Sequence, residues 1–276
     1  MPHLLQISLK RAPAEEEADS FPFNVPAIRS LPELDVEVPV TLFVGENGSG
    51  KSTLLEAIET AAELPALGLS EVTVDETLAS QRRLGQLLQL AWRPRSRQGF
   101  FLRAEDFFGH LRMQARTTAR IFREKGLLGD PDVELAGGAG AMHMDERNAA
   151  RFMKHHDARS HGESFLALFE NRIRPRGLYL MDEPEAPLSP MRQLEALRLV
   201  VKAAEAGAQF IIATHSPIFL ACPGARIFRF DDPPIQEANF ADLEHVHVMR
   251  DFLNDPEGHL ERLLARDDDA EDDGGD

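Results

Sequence analysis

The chain has little of what marks secreted or membrane proteins. Cys222 is its one cysteine among 276 residues, so a disulfide framework is excluded and a reducing compartment is expected. No apolar run approaches the roughly 20 residues that a membrane-spanning helix needs. The apolar part of residues 1–11 is too short for a secretory signal. These absences predict a cytoplasmic protein without a transmembrane segment.

Positive charge is also scarce, because 30 Lys and Arg stand against 46 Asp and Glu and the formal net charge is −16. This balance disfavours non-specific binding to nucleic acid, which relies on Lys and Arg against phosphates. Arginines are enriched in residues 82–123, the candidate nucleic-acid surface, and the alternative there is solvated helix faces balanced by nearby acids. Seven of the ten residues 267–276 are acidic, and this stretch is predicted to form a disordered tail.

Internal repeats and long heptad runs are absent, which excludes an extended coiled coil. Apolar strand patterns alternate with helical patterns, and this order predicts an α/β fold with a mostly parallel sheet covered on both faces. The predicted strands are 3–10, 38–44, 100–103, 177–181, 209–213, 227–230 and 235–238. The predicted helices are 52–59, 84–91, 107–115, 164–171, 190–206 and 245–264, the last with a break at 254–256.

Residues 45–53 fit the phosphate-binding pattern G-x-x-x-x-G-K-[ST], and they stand between a strand pattern and a helix pattern, as this motif requires. Glycines in such a loop let backbone N–H groups converge on an anion at the positive end of the helix. The motif predicts Lys51 at the β- and γ-phosphates of ATP, with a catalytic role, and Ser52 on Mg²⁺. The predicted nucleotide contacts are Gly45, Glu46, Asn47, Gly48, Ser49, Gly50, Lys51, Ser52 and Thr53.

The strand pattern 177–181 ends in two carboxylates, a Walker B arrangement. We expect Asp182 to hold Mg²⁺ directly or through water, and Glu183 to polarise the attacking water as a general base. The next strand pattern, 209–213, leads to His215, whose imidazole can hydrogen-bond the γ-phosphate and steady that water. The alternatives are a polar turn at the end of the first strand and a structural histidine at the end of the second.

A third candidate phosphate site lies in the segment Ser-His-Gly-Glu-Ser at 160–164, just before a helix pattern. The hydroxyl of Ser160 and the backbone N–H of Gly162 can bind an anion at the start of that helix. The alternative is an ordinary helix N-cap.

The order of these motifs resembles the ATP-binding-cassette superfamily of ATPases. Ser160 to Glu163 resembles its signature motif, Glu185 to Ser189 its D-loop and His215 its switch histidine. More closely, GENGSGKSTLLEAI, FFLRAEDFF, SHGESFLALFENR and YLMDEPEAPLSP resemble a bacterial group of small stand-alone predicted ATPases of the soluble RecF/SMC-like branch, under the AAA-family label. The resemblance implies a P-loop NTPase fold with a mostly parallel sheet, flanking helices, antiparallel N-terminal strands and a helical insertion lobe.

Two positions depart from the family pattern. His161 replaces the first glycine of the signature, and the lid glutamine of the family has no clean match. Gln98 and Glu105 are the alternatives for the lid, and the position after a strand favours Glu105, as a carboxylate near Mg²⁺ or water; a solvated helix start is the other explanation. Phe21 and Phe23 are candidates for covering adenine, although both also suit the sheet core.

In this superfamily two copies sandwich two ATP molecules, so the resemblance implies ATP as substrate, Mg²⁺ as cofactor and a homodimer in the ATP state. Ser160, Gly162 and Glu163 would then contact the nucleotide held by the other copy. The prediction is a Mg²⁺-dependent ATPase that acts as a switch on an unknown protein partner or on nucleic acid; the alternative is the ATP-binding subunit of a membrane transporter. A single domain is expected over 1–266, with the helical lobe at about 62–165.

Overall fold

The computed structural model describes residues 1–67, 77–104 and 161–272. By its internal contacts the chain forms two compact units, Met1–Gln236 and Glu237–Asp276. Most of the segment predicted to form the helical lobe lies outside the described residues, and so do Glu105 and Ser160.

The described secondary structure comprises ten strands and nine α-helices. The strands are β1 Leu4–Leu9, β2 Leu34–Asp35, β3 Val40–Val44, β4 Ala66–Leu67, β5 Leu88–Trp92, β6 Gly99–Arg103, β7 Leu178–Asp182, β8 Gln209–Ala213, β9 Arg226–Arg229 and β10 Gln236–Ala238. The helices are α1 Glu15–Ala18, α2 Pro26–Arg29, α3 Lys51–Ala62, α4 Thr77–Leu87, α5 His161–Arg172, α6 Pro190–Glu205, α7 Pro217–Leu220, α8 Glu244–Asn254 and α9 Pro256–Asp272, with a 3-10 helix at Phe240–Asp242.

The larger sheet has seven strands in the order β10-β9-β3-β8-β7-β6-β4. Neighbouring strands from β9 to β4 are parallel. Every residue of β3, β7 and β8 is buried, as expected for a parallel sheet with both faces covered. The predicted α/β class with a mostly parallel sheet is confirmed. Because parallel strands end at the same edge, the three motifs that follow β3, β7 and β8 meet there.

A smaller antiparallel sheet has the order β2-β1-β5, which confirms the predicted antiparallel N-terminal strands. The helix predicted over 84–91 is wrong at its C-terminal end, because α4 ends at Leu87 and β5 begins at Leu88. Residues of β5 pair with β1, for example Leu90 with Ile7, and Leu88 is buried in the core. Pairing with a distant strand therefore overrides a helical spacing of leucines.

One buried amide, that of Gln209 at the start of β8, connects the two sheets. Its Oε1 accepts hydrogen bonds from the backbone N–H groups of His3 and Leu4 at 2.9 and 2.8 Å. Its Nε2 donates to the carbonyl oxygens of Leu4 and Val36 at 2.8 and 2.9 Å. Gln209 is fully buried, so these bonds satisfy groups that water cannot reach. The side chain thereby fixes the N-terminal sheet against the parallel one.

Helix α3 packs on the parallel sheet through Leu54, Leu55 and Ile58, which are fully buried and spaced for one helical face. Phe23 belongs to the same core and has no exposed surface, so it is a core residue rather than an adenine contact. Phe21 is 44% exposed and remains a candidate for that contact.

The second unit consists mainly of α8 and α9. The predicted break is confirmed: α8 ends at Asn254, and α9 begins at Pro256, a residue suited to the first helical position. Helix α9 extends to Asp272 and so includes part of the stretch predicted to be a disordered tail. Among the described residues, no helix combines the length and the apolar character needed to cross a membrane.

Candidate nucleotide-binding site

The loop between β3 and α3 has a backbone that only glycine tolerates at several points. Gly45, Gly48 and Gly50 have φ angles of 150°, 83° and 106°, which L side chains rarely adopt. A Cβ at Gly45 would lie 2.9 Å from Asp231 Oδ1, and one at Gly50 would lie 3.0 Å from Val25 Cγ1. The turn leads directly into α3, whose positive N-terminal end suits a phosphate.

Lys51, the first residue of α3, is only 5% exposed and folds back over the loop. Its Nζ donates hydrogen bonds to the carbonyl oxygens of Gly45 and Glu46 at 2.6 and 2.8 Å. Burial lowers the pKa of Lys51, while nearby carboxylates, Glu183 foremost, raise it. Because an ammonium group has three donors, one remains for a phosphate oxygen.

Ser52 and Asp182 meet between α3 and β7, where the Ser52 hydroxyl donates to Asp182 Oδ1 at 3.0 Å. Burial raises the pKa of Asp182, and the hydrogen bond from Ser52 and the charge of Arg103 oppose this shift. A hydroxyl and a carboxylate side by side fit Mg²⁺, which commonly binds one or two protein oxygens and takes phosphate and water as its other ligands. Among the described residues, no cluster of three or more His, Cys, Asp or Glu could hold a metal ion.

Glu183 lies in a sharp turn directly after β7. Its φ of 48° is left-handed, a conformation that costs a residue other than glycine about 1–3 kcal/mol and recurs at functional sites. The backbone N–H of Glu183 donates to the carbonyl oxygen of Ala213 at 2.9 Å, which ties this turn to the end of β8.

The imidazole of His215 faces the carboxylate of Glu183, with Nε2 3.7 Å from Oε1. That Nε2 is buried and has no hydrogen-bond partner in the described part of the chain, and the same is true of the Ser49 hydroxyl in the loop. Burial of a polar atom without a hydrogen-bond partner destabilises the protein. Oxygens of a bound phosphate would satisfy both, so the residues present fit a nucleotide.

The sequence pattern gives Glu185 no role beyond the D-loop resemblance, yet its side chain organises the site. Its Oε1 accepts hydrogen bonds from Thr214 Oγ1 at 2.7 Å, from the backbone N–H of His215 at 2.7 Å and from that of Ser216 at 3.1 Å. Burial raises the pKa of Glu185, and the Thr214 hydroxyl opposes that shift. Glu185 therefore joins the turn after β7 to the backbone that carries His215. The available sequence clue was a charged residue between Pro184 and Pro187.

The described structure contains some of the predicted lid and signature residues. Gln98 comes before β6, at the edge of the sheet opposite to Asp182, so the lid prediction is wrong for this residue. Glu105 stays a prediction because it lies outside the described residues, as does Ser160. Gly162 and Glu163 lie in the first turn of α5. Asn47 and Gly48 lie in the loop as predicted, and Thr53 lies in the first turn of α3.

Several arginines of the candidate nucleic-acid stretch are paired with acids. The ion pairs are Arg83–Glu17, Arg93–Glu37, Arg95–Glu63 and Arg103–Glu56. This arrangement favours the alternative of charge-balanced faces for the described part of the stretch. Residues 105–123, the rest of this stretch, lie outside the described residues.

Two protein-family models match the chain, and both describe AAA domains. The model AAA_23, "AAA domain", matches residues 24–62, which contain the P-loop. The model AAA_21, an AAA domain whose description adds the AbiEii toxin of a Type IV TA system as a candidate assignment, matches residues 164–221, which contain Asp182, Glu183 and His215.

The chain is also similar to a curated protein, the thiamine import ATP-binding protein ThiQ of Cereibacter sphaeroides. The two are 30% identical over 187 residues, which cover 63% of this chain and 69% of ThiQ. Among solved structures, the SMC head domain from Thermotoga maritima matches with a TM-score of 0.42 and 15% identity, covering 86% of this chain and 99% of that one. A nucleotide-free ATP-binding cassette from an ABC transporter matches with a TM-score of 0.44 and 18% identity, covering 92% and 96%. Neither structural similarity assigns an activity.

Proposed function

We propose a function from the family to which the chain belongs, the ATPases of the ATP-binding-cassette and AAA type. The chain binds ATP with Mg²⁺ and hydrolyses it to ADP and phosphate. One observation carries the proposal: three neighbouring parallel strands deliver the needed groups to one edge of the sheet. Lys51 and Ser52 follow β3, Asp182 ends β7 with Glu183 directly after it, and His215 follows β8.

The proposed reaction is an in-line attack of water on the γ-phosphorus. The Glu183 carboxylate accepts a proton from that water as the new P–O bond forms. The bond to the β,γ-bridging oxygen breaks, and ADP leaves with its electron pair. Lys51 and the N-terminus of α3 offset the charge on the phosphates, and His215 donates a hydrogen bond to a γ-phosphate oxygen. Ser52 and Asp182 would hold Mg²⁺, which would supply positive charge to neutralise the phosphates.

We extend the proposal to a homodimer that closes around ATP and acts as a switch on a protein partner or on nucleic acid. Two points support it. The site lies at one edge of the sheet, where a γ-phosphate would stay open to water unless a second surface covered it. The signature candidates Gly162 and Glu163 lie in the first turn of α5, where an anion would find free backbone N–H groups, and Ser160 directly precedes this helix in the sequence.

The mass of Glu183→Gln in solution, measured by light scattering with and without Mg-ATP, tests the homodimer. Removing the base should trap ATP, so the mass should rise from that of one 30.7 kDa chain to about twice that value. Lys51→Ala is the control, because it should abolish nucleotide binding and hence dimerisation. A variant that binds ATP yet stays monomeric would refute the homodimer and leave the ATPase proposal standing.

A second candidate function is favoured by the similarity to ThiQ, whose name describes thiamine import. In that case the chain would be the ATP-binding subunit of a transporter and would bind a membrane partner. Fractionation of cells that express the chain naturally distinguishes the two. A transporter subunit should sediment with membranes whether or not ATP is present, whereas a stand-alone switch should remain in the supernatant.

A further inference from the structure

Arg103 lies at the end of β6, directly beside Asp182 in the parallel register of β6 and β7. Its Nε is 3.4 Å from Asp182 Oδ2, and its guanidinium also forms an ion pair with Glu56 of α3. No role for this residue follows from the sequence motifs. Its side chain thus lies between helix α3, which follows the phosphate-binding loop, and strand β7, which ends at Asp182.

Burial makes this arginine necessary for both acids. Glu56 and Asp182 are each only 6% exposed, and buried carboxylates are costly unless a cation compensates them. The Arg103 side chain, in contrast, is 30% exposed, so it has room to change its contacts. It is planar and carries several donors, which allows it to hold two carboxylates at once.

The two oxygens of Asp182 are occupied differently. Oδ1 accepts the hydrogen bond from Ser52, whose oxygen can bind a metal while its hydrogen still points at Asp182. Oδ2 faces the Arg103 guanidinium, which carries no lone pair to offer a metal. An ion that uses the charge of Asp182 therefore competes with Arg103 and leaves Ser52 in place.

We infer that Arg103 holds the place of Mg²⁺ at Asp182 in the nucleotide-free protein, and that Glu56 retains the guanidinium when Mg²⁺ arrives with ATP. This inference rests on the proposed function. The exchange makes free Mg²⁺ a weak ligand, since it must displace a cation without help from phosphate oxygens. Metal and nucleotide therefore load together, and Arg103 acts as a positioning residue that disfavours binding of Mg²⁺ without nucleotide.

The test is the Mg²⁺ concentration that gives half-maximal affinity for a fluorescent ADP analogue, measured for the wild type and for Arg103→Gln. The glutamine variant removes the competing charge, so this concentration should fall roughly fivefold, the upper range of what a partly exposed ion pair contributes. The second measurement is the melting temperature with and without Mg²⁺, in the absence of nucleotide. Added Mg²⁺ should raise the melting temperature of Arg103→Gln and leave that of the wild type unchanged.

Two further variants make the result specific. Arg95→Gln removes an ion pair with Glu63, which lies at the C-terminal end of α3, the helix that also carries Glu56. This variant should leave the Mg²⁺ requirement unchanged. The double variant Arg103→Gln/Glu56→Gln leaves no unpaired charge at position 56 and should show the same fall as Arg103→Gln, even if the single variant folds poorly.

Two outcomes would overturn the inference. An unchanged requirement would give Arg103 a purely structural role, and an increased requirement would mean that it orients Asp182 for the metal. A wild type whose nucleotide affinity does not respond to Mg²⁺ at all would instead refute the proposed function.

Discussion

Removing the carboxylate of Glu185 should both destabilise the protein and slow hydrolysis. In Glu185→Ala, three hydrogen bonds are lost: those from the hydroxyl of Thr214 and from the backbone N–H groups of His215 and Ser216. The N–H of Ser216 keeps a second acceptor, Thr214 Oγ1 at 3.0 Å, so only the other two donors are left unpaired. Each hydrogen bond contributes a net of about 1 kcal/mol, which sums to about 3 kcal/mol of unfolding free energy. Hydrogen bonds to a charged acceptor contribute more than this average, whereas the cost of removing the carboxylate from water reduces the net contribution. We take these two effects to offset each other.

Glu185→Gln separates the geometric contribution of the side chain from its charge. An amide oxygen can still accept the three hydrogen bonds, but the amide nitrogen replaces Oε2, which is buried without a partner. We expect this variant to lose about 1 kcal/mol, because one new donor stays unsatisfied. Because the backbone of His215 should remain in place, kcat should stay close to that of the wild type. In Glu185→Ala the imidazole is no longer fixed, and kcat should fall about tenfold or more.

The assays are urea unfolding, compared through midpoints at an unchanged slope, and steady-state hydrolysis of Mg-ATP. Glu195→Ala is a matched control, because it removes a partly exposed carboxylate of α6 that pairs with Arg192, and it should change stability by less than about 0.5 kcal/mol. The reasoning is refuted if Glu185→Ala unfolds within about 0.5 kcal/mol of the wild type, or if it loses stability with no effect on kcat.

Other residues give separate predictions. Gln209→Leu leaves the buried N–H groups of His3 and Leu4 unpaired and should cost about 3 kcal/mol in urea unfolding; a loss below 1 kcal/mol would show that the amide does not fix the N-terminal sheet. Burial raises the pKa of the Cys222 thiol to about 11, so a thiol reagent at pH 8 should meet about one thiolate in a thousand and react only as the chain unfolds. Bonding to Arg11 lowers the pKa of Glu17 to about 2 from 4.5, so the folded state binds fewer protons than the unfolded state between these values. The stabilisation by Glu17 is therefore complete above about pH 4.5 and lost as the pH falls toward 2, and Glu17→Gln should remove this part of the pH dependence of the urea midpoint.

The phosphate-handling residues could be predicted because their chemistry fixes both residue type and spacing. A loop that turns around a phosphate needs Gly45 and Gly50 at set positions, and the carboxylates must stand at the end of a strand to meet it. The parallel sheet followed from apolar runs such as 209–213, which suit strands buried on both faces.

Residues whose roles depend on distant neighbours could not be predicted in this way. Arg103 and Glu185 are defined by partners far away in the sequence, Glu56 and Thr214 among them, and no local pattern encodes such proximity. Strand β5 was missed for the same reason, since its hydrogen-bonding partner is β1. Local periodicity reflects the intrinsic secondary-structure preference of a segment. Arg103, Glu185 and β5 are instead determined by contacts with residues distant in the sequence.

The position of β3 has a consequence for how the chain folds during synthesis. Its neighbours on both sides, β8 and β9, belong to the last third of the chain, so Leu42 pairs with Ile212 and Ile227. Pairings across such long sequence separations form slowly, because a large loop must close first. On the ribosome β3 therefore has neither neighbour until residues near 213 have emerged and lacks the second until residues near 229 have emerged, and the backbone N–H and C=O groups along its edges stay unpaired until then. The phosphate-binding loop that follows β3 can consequently reach its final conformation only after β8 and β9 have been made.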